Sequence, residues 1–298
     1  TINTGNDSAD RPNGSVPHSM AEFYSYDHDI NTFNNTKAVS RSLTGGTGQS
    51  VHFTSGDYSF MVEDATWSIS FWIRAGWTSA LNTNIHLIIG HADPGGENVA
   101  TYQLEDMIRV FYDEPTRKLF VAYGNKTTSS NGKQKRISFD LAASGNSNVT
   151  GIGSGGWNSS ARGNTGDDNF TMITVTKDQN RSPSTNDLKV YWNAAELATR
   201  VVVNNETLAV AMSTSADRLW SVGSNGKYAS NDQIKSGNSA ETEYTDITFW
   251  NVPLSSSNVS TMYNSGAPMD VSGTNIVQAS NLKGWWTFEA SNGNNSVS

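Results

Sequence analysis

Three carboxylates fall within six residues at Glu241-Thr242-Glu243-Tyr244-Thr245-Asp246, an E-x-E-x-x-D pattern. Carboxyl groups held about 5–5.5 Å apart are what retaining glycoside hydrolysis needs, one as nucleophile and one as acid/base. On a regular strand Glu241 and Glu243 share a face while Asp246 points away, unless a bulge intervenes. The expectation is no catalytic residue, and a structural hydrogen-bond role for Asp246. Two further segments are rich in the hard oxygen donors that suit Ca²⁺. One is Asp93-Pro94-Gly95-Gly96-Glu97-Asn98, with Asp93 and Glu97; the other is Asp167-Asp168-Asn169, with Asp167 and Asp168. Neither has EF-hand spacing, and Asp and Asn beside Gly serve first as turn formers. Histidines at 18, 28, 52, 86 and 91 form no HxH or HExxH arrangement. His86 and His91 lie five apart on one strand, hence on opposite faces, so no zinc site is expected. GIGSGGW (151–157) lacks the helix that a serine nucleophile needs and the Lys-Ser or Lys-Thr of a phosphate loop. Cys is absent, which removes disulfides and thiolate chemistry together. Aromatic residues remain. Trp77, Trp157 and Tyr228 stand in loop-like sequence, where exposed rings can stack on pyranose faces. Trp67, Trp72, Trp192, Trp220, Trp250, Trp285 and Trp286 lie in or beside strands and are expected in the core.

Composition narrows the scaffold that must hold these residues. Only 36% of the 298 residues are hydrophobic and 16% are charged, so Gly, Asn, Ser and Thr fill the difference. Those four rank low in helix propensity, whereas 9 Trp, 10 Tyr and 11 Phe offer large surfaces to bury. An all-β protein follows. Period-two segments begin at SVHFTS, and SISFWIRA (68–75) sets Ile69, Phe71 and Ile73 on one face. IHLIIGH (85–91), MIRVFYD (107–113), KLFVAYG (118–124), RISFDLA (136–142) and FTMITVTKD (170–178) continue the pattern. LKVYWNA (188–194), RVVVN (200–204), RLWSVGS (218–224), TDITFWN (245–251) and GWWTFEA (284–290) complete about a dozen strands, the signature of a sandwich or jelly roll. One short helix is predicted over 255–265, with Ser caps, Val259, Met262 and Tyr263 on one side, and Gly266 as its stop. The stretch 143–169 is too long for a tight hairpin and reads as a mobile or displayed loop.

A net charge of −8 leaves no basic surface for nucleic acid. The basic run Lys133-Gln134-Lys135-Arg136 reads as a solvated edge. No stretch has the eighteen or so apolar residues of a membrane span, and the polar start TINTGNDSAD reads as no signal peptide. Residues 1–40 form an extended N-terminal arm, with the jelly roll over 41–298. Pro12 and Pro17 keep the first part of the arm extended. Phe23, Tyr24, Tyr26, Ile30 and Phe33 are expected to dock, either on the chain's own body or on a neighbouring subunit, and the arm as a whole is expected to bind another chain, which offsets the ordering cost of so polar a segment.

The order of elements resembles laminin-G-like domains of the concanavalin A-like lectin/glucanase superfamily. GQSVHFTSGDYSFMVEDATWSISFWIRA looks like the opening of that fold. DNFTMITVTKDQNRSPSTNDLKVYWNAAEL looks like its middle hairpin, although Trp192-Asn193-Ala194 stands where Val-Asp-Gly is usual and alters the tight turn. TDITFWNVPLSSSNVSTMYNSG resembles its strand and short helix ending in Y-N-x-G, with Ile247 where Glu is common. The resemblance spans roughly 41–290 and implies a two-sheet antiparallel jelly roll. It also implies Ca²⁺ as the one candidate cofactor. Glucanases of the superfamily carry E-x-D-x-x-E, from which this triplet departs in order and in its shorter last carboxylate. FWN…LS…MYNSG, no Cys and Asn/Ser/Thr-rich loops are most similar to copies in structural proteins of tailed phages. The implied role is a non-catalytic virion protein, a capsid decoration or head or tail fibre displayed on the virion surface. Its partners would be other virion proteins, copies of itself and glycans. A lectin module of a secreted or cell-surface protein is the alternative, and a glycoside hydrolase the third reading.

Overall fold

Alternating apolar and polar residues make strands that are apolar on one side, and such strands must bury that side together. The computed structural model describes residues 21–23, 51–53, 66–74, 85–92, 107–113, 116–125, 133–147, 149, 152, 170–178, 187–205, 219–222, 242–266, 268–271, 276–277 and 279–286. Within them run β1 (Ala21–Phe23), β2 (Val51–Phe53), β3 (Trp67–Arg74), β4 (Ile85–Ala92), β5 (Met107–Asp113), β6 (Lys118–Asn125) and β7 (Lys133–Asp140). β8 (Thr171–Lys177), β9 (Leu188–Trp192), β10 (Ala195–Glu196), β11 (Arg200–Asn205), β12 (Leu219–Val222) and β13 (Thr242–Trp250) follow. A single α-helix, α1 (Ser256–Tyr263), two 3₁₀ turns (Asn264–Gly266 and Ala279–Asn281) and β14 (Leu282–Trp286) complete the described elements. The first sheet is ordered β1-β13-β3-β8-β9-β10, with β14 also on β13; the second is β11-β7-β6-β5-β4-β12-β2. All pairings are antiparallel. The fold is the two-sheet β-sandwich of jelly-roll type that the strand pattern predicts.

The core lies between the sheets. Trp67, Ile69, Phe71 and Ile73 of β3, Ile173 and Val175 of β8, and Val190 and Trp192 of β9 meet Val110 and Tyr112 of β5, Val121 of β6 and Phe139 of β7. Each such side chain contributes about 1.5–3 kcal/mol when fully buried. A second apolar layer lies on the other face of the first sheet. There Trp72, Met172, Tyr191 and Trp250 are covered by Leu254, Val259, Met262, Val271, Ile276 and Leu282. Tyr263 stacks on Trp72 with ring centroids 5.7 Å apart. Helix α1 is held at its start by a capping box. The Ser255 hydroxyl accepts from the Asn258 amide at 3.1 Å, and the Asn258 side chain accepts from the Ser255 amide at 3.0 Å. It stops at Asn264, whose φ of 45° is left-handed, two residues before the predicted glycine.

Three expectations need correction, and a fourth, left open, is decided in part. Lys133-Gln134-Lys135-Arg136 is an edge only in its first half: Lys135 and Arg136 lie between β6 and β11, while Lys133 and Gln134 pair with β6 alone. Arg136 instead lies 5.4 Å over the ring of Phe120, which stacks on Phe111 at 4.9 Å. His86 and His91 do not alternate simply, since a bulge between Leu87 and Ile89 sets them opposite Tyr112 and Ile108, two residues of the same parity. The start of the 143–169 stretch is anchored. Asn146, 3% exposed, donates to the Asp140 carbonyl at 2.6 Å and to Thr199 Oγ1 at 2.8 Å, and accepts from the Ala198 amide at 2.9 Å. Val149 and Ile152 then pack on the core, and the remainder of the stretch lies outside the described residues. Lastly, residues 21–23 of the arm add a strand to the chain's own first sheet, with Ala21 opposite Tyr244 and Phe23 opposite Thr242. The backbone of that much of the arm thus completes the chain's own sheet, the own-body alternative for this segment.

Candidate functional site

The carboxylate pattern lies at the start of β13. Between Thr245, opposite Trp72, and Thr248, opposite Ser70, this strand spends one residue more than β3. The extra residue forms a bulge at Asp246, whose φ is 49°. Glycine is the usual occupant of such a backbone, but Asp is among the few others that tolerate it. Trp285, opposite Thr248 on β14, donates its Nε1–H to Asp246 Oδ1 at 3.1 Å. Asp246 is only 5% exposed. Its carboxylate is therefore a buried acceptor that ties the bulge to β14, the structural role read from the sequence. Past the bulge, Ile247 and Phe249 turn into the core, while Thr248 and Trp250 join the outer layer. Glu241 and the side chain of Glu243 lie outside what the structure describes; the Glu243 backbone sits opposite Arg74 and Glu22.

A chain of hydroxyls lies beneath the outer layer. Trp250 Nε1 donates to Thr248 Oγ1 at 3.0 Å, and that hydroxyl donates to the Ser70 carbonyl at 3.3 Å. Ser70 Oγ and Thr174 Oγ1 are 2.8 Å apart. Ser68 Oγ donates to the Val252 carbonyl and accepts from the Leu254 amide, at 2.8 and 2.9 Å. These positions alternate with core residues, so their sequence reads as a solvent face; covered by residues 252–282, they are satisfied internally. The β9–β10 turn is also tighter than its sequence suggests. Asn193 and Ala194 take φ of 48° and 67°, a two-residue hairpin turn in which Asn193 exchanges hydrogen bonds with the Met172 backbone.

A second buried polar cluster escaped the sequence reading. Asp187, 2% exposed, accepts from Arg200 Nη2 at 3.0 Å, with Lys177 Nζ at 4.0 Å. The three residues come from β8, the entry to β9 and β11, so the ion cluster ties the first sheet to the edge strand of the second. No local motif announces it, since the residues are brought together only by the fold.

The remaining site candidates sit on connections. Trp77, Trp157, Tyr228, Asp93, Glu97, Asp167 and Asp168 lie outside the described residues, as do Tyr24, Tyr26, Ile30 and Phe33 of the arm. The strands that flank them are described. In the first sheet, register places Arg74, Thr171 and Thr242 at one end. In the second, Ile85, Asp113, Lys118 and Asp140 share an end, and β12 runs toward it through Val222. The connections 75–84, 141–169 and 223–241 thus all join the same two sheet ends, and they carry Trp77, Trp157 with Asp167 and Asp168, and Tyr228. Asp93 and Glu97 belong instead to the β4–β5 connection, at the opposite end of the second sheet. Among the described residues no three His, Asp or Glu side chains gather as a metal site.

No protein-family model matches the chain, and no curated protein matches it. Among solved structures, the botulinum neurotoxin serotype G binding domain is similar at TM-score 0.45 and 15% identity, over 84% of this chain and 47% of that one. The serotype C1 binding domain is similar at TM-score 0.43 and 15% identity, over 86% and 50%. A heptameric SAP-like pentraxin from Limulus polyphemus is similar at TM-score 0.40 and 11% identity, over 82% and 88%. The chain spans about half the length of the neurotoxin binding domains it matches. At such TM-scores the likeness adds nothing to the fold read from the chain's own strands.

Proposed function

We propose that the chain is a non-catalytic virion structural protein of a tailed phage, a capsid decoration or head or tail fibre, that displays a lectin-like jelly roll to glycans. The carrying observation is the common origin of three connections: those bearing Trp77, Trp157 and Tyr228 all link the same end of one sheet to the same end of the other. The three aromatic residues borne on these connections are the proposed stacking positions for sugars, and Asp167 and Asp168, on one of the same connections, are the proposed ligands for Ca²⁺. The non-catalytic part is supported by Asp246, whose carboxylate is buried and engaged by Trp285. Virion placement rests on the resemblance of FWN…LS…MYNSG, the absent Cys and the Asn/Ser/Thr-rich loops to phage copies. Other virion proteins and further copies of the chain are the proposed partners, reached through the part of the arm beyond β1.

Binding of the full chain to an array of host and environmental glycans, followed by calorimetric titration of the best ligand, tests this. Trp77→Ala, Trp157→Ala and Tyr228→Ala should each raise Kd about tenfold or more, as loss of a central aromatic contact does. Chelation should weaken the same ligand if Asp167 and Asp168 hold Ca²⁺. Binding that all three substitutions leave unchanged would refute these stacking positions.

A further inference from the structure

β11 closes one edge of the second sheet. It is hydrogen-bonded to β7 on one side, and among the described residues no strand pairs with the other. Val201, Val202 and Val203 follow one another there at 55%, 37% and 43% exposure. They are the large hydrophobic side chains left exposed among the described residues. Edge strands are normally protected by Lys, Pro or inward charge. Residues 201–203 themselves carry none of these; the strand's one charge, Arg200, is turned inward to Asp187 and to the Leu188 carbonyl, and its one other blunting device is the bulge between Val202 and Asn204. Up to the bulge between Val202 and Asn204, successive strand residues aim their N–H and C=O groups to alternate sides, so the run offers main-chain hydrogen bonds as well as apolar surface.

We propose that β11 pairs antiparallel with β11 of a second copy, about a two-fold axis at Val202, joining the two second sheets into one. Two features select a second copy as the occupant. The triplet reads the same in both directions, so centring on Val202 sets Val201 against the partner's Val203 and every valine against a valine, as an isologous contact requires. The same register puts position 200 opposite position 204, an arginine against a neutral residue, whereas a parallel arrangement would set Arg200 beside its own copy. The inference does not depend on glycan binding.

The absence of Cys makes a sharp test possible. In the full chain, Val202→Cys places one thiol opposite itself, at a Cα separation of about 4.5–5.5 Å across an antiparallel pair, within the span a disulfide bridges. Mild oxidation should give a covalent dimer on a non-reducing gel. Val201→Cys alone should not, but mixed with Val203→Cys it should. Sedimentation velocity should show a wild-type dimer. Val202→Lys should raise its Kd about tenfold or more, because like charges then face each other across the axis. Its melting temperature in the monomer should stay unchanged, since the residue is exposed. A wild-type monomer at high concentration would overturn the proposal, as would polydisperse aggregation or a dimer that survives Val202→Lys. Equal cross-linking of Val201→Cys and Val202→Cys would overturn it too.

Discussion

Trp250→Ala should lower the unfolding free energy by about 3–5 kcal/mol, the range for removing a fully buried tryptophan. Trp250 is fully buried at the end of β13, between Ser68 of β3 and Leu282 of β14 in register. Its ring carries the outer layer that α1 and the following segment cover. Its Nε1 also anchors the hydroxyl chain through Thr248. Truncation would leave a cavity between the first sheet and that cover, and would deprive Thr248 Oγ1 of a donor. Urea unfolding followed by far-ultraviolet circular dichroism checks this. A loss within about 0.5 kcal/mol, as for surface substitutions, would mean that residues 252–282 do not pack on the sheet as described.

Asp187→Ala should cost a comparable amount, about 3–5 kcal/mol, because it strands buried cations. Lys177 is almost as buried as Asp187, and Arg200 nearly so. Asp187→Asn should cost less, as its side-chain oxygen can still accept from Arg200. Replacing Asp187, Lys177 and Arg200 together by apolar residues of similar volume should recover much of the loss, since a buried ion cluster is not in itself a source of net stability. Thermal melts of the four proteins decide the matter. A harmless Asp187→Ala would show that the cluster is hydrated and not sealed.

Sequence alone disclosed what depends on local alternation. Ile69, Phe71 and Ile73 lie on one face because strand side chains alternate, and the facing sheet is built by the same rule. The helix was equally legible from Ser255, Val259 and Met262. Lateral neighbours were not. Nothing near Lys133–Arg136 says that β11 will pair outside it, and nothing near Ser68 or Ser70 says that residues 252–282 will cover their face. The single-residue insertion at Asp246 was hidden too, since it resets parity without a glycine to mark it, whereas the one near Ile88 lies two residues before Gly90. β1 and β10 have three and two residues, too few to show a period. At the site, the structural role of Asp246 was legible because the E-x-E-x-x-D order already conflicted with a catalytic pair. Its partner Trp285 lies 39 residues away and was not.

The claim at the centre of this account is that Asp246 serves structure and not chemistry. Release of reducing ends from a panel of soluble polysaccharides, measured side by side for wild type and Asp246→Asn, tests it most directly. Asn also tolerates the left-handed backbone and keeps an oxygen for Trp285. The predicted result is no release above the protein-free blank from either protein, with equal glycan binding and closely similar melting temperatures. Release by wild type that Asp246→Asn abolishes, in a protein that remains folded, would contradict it.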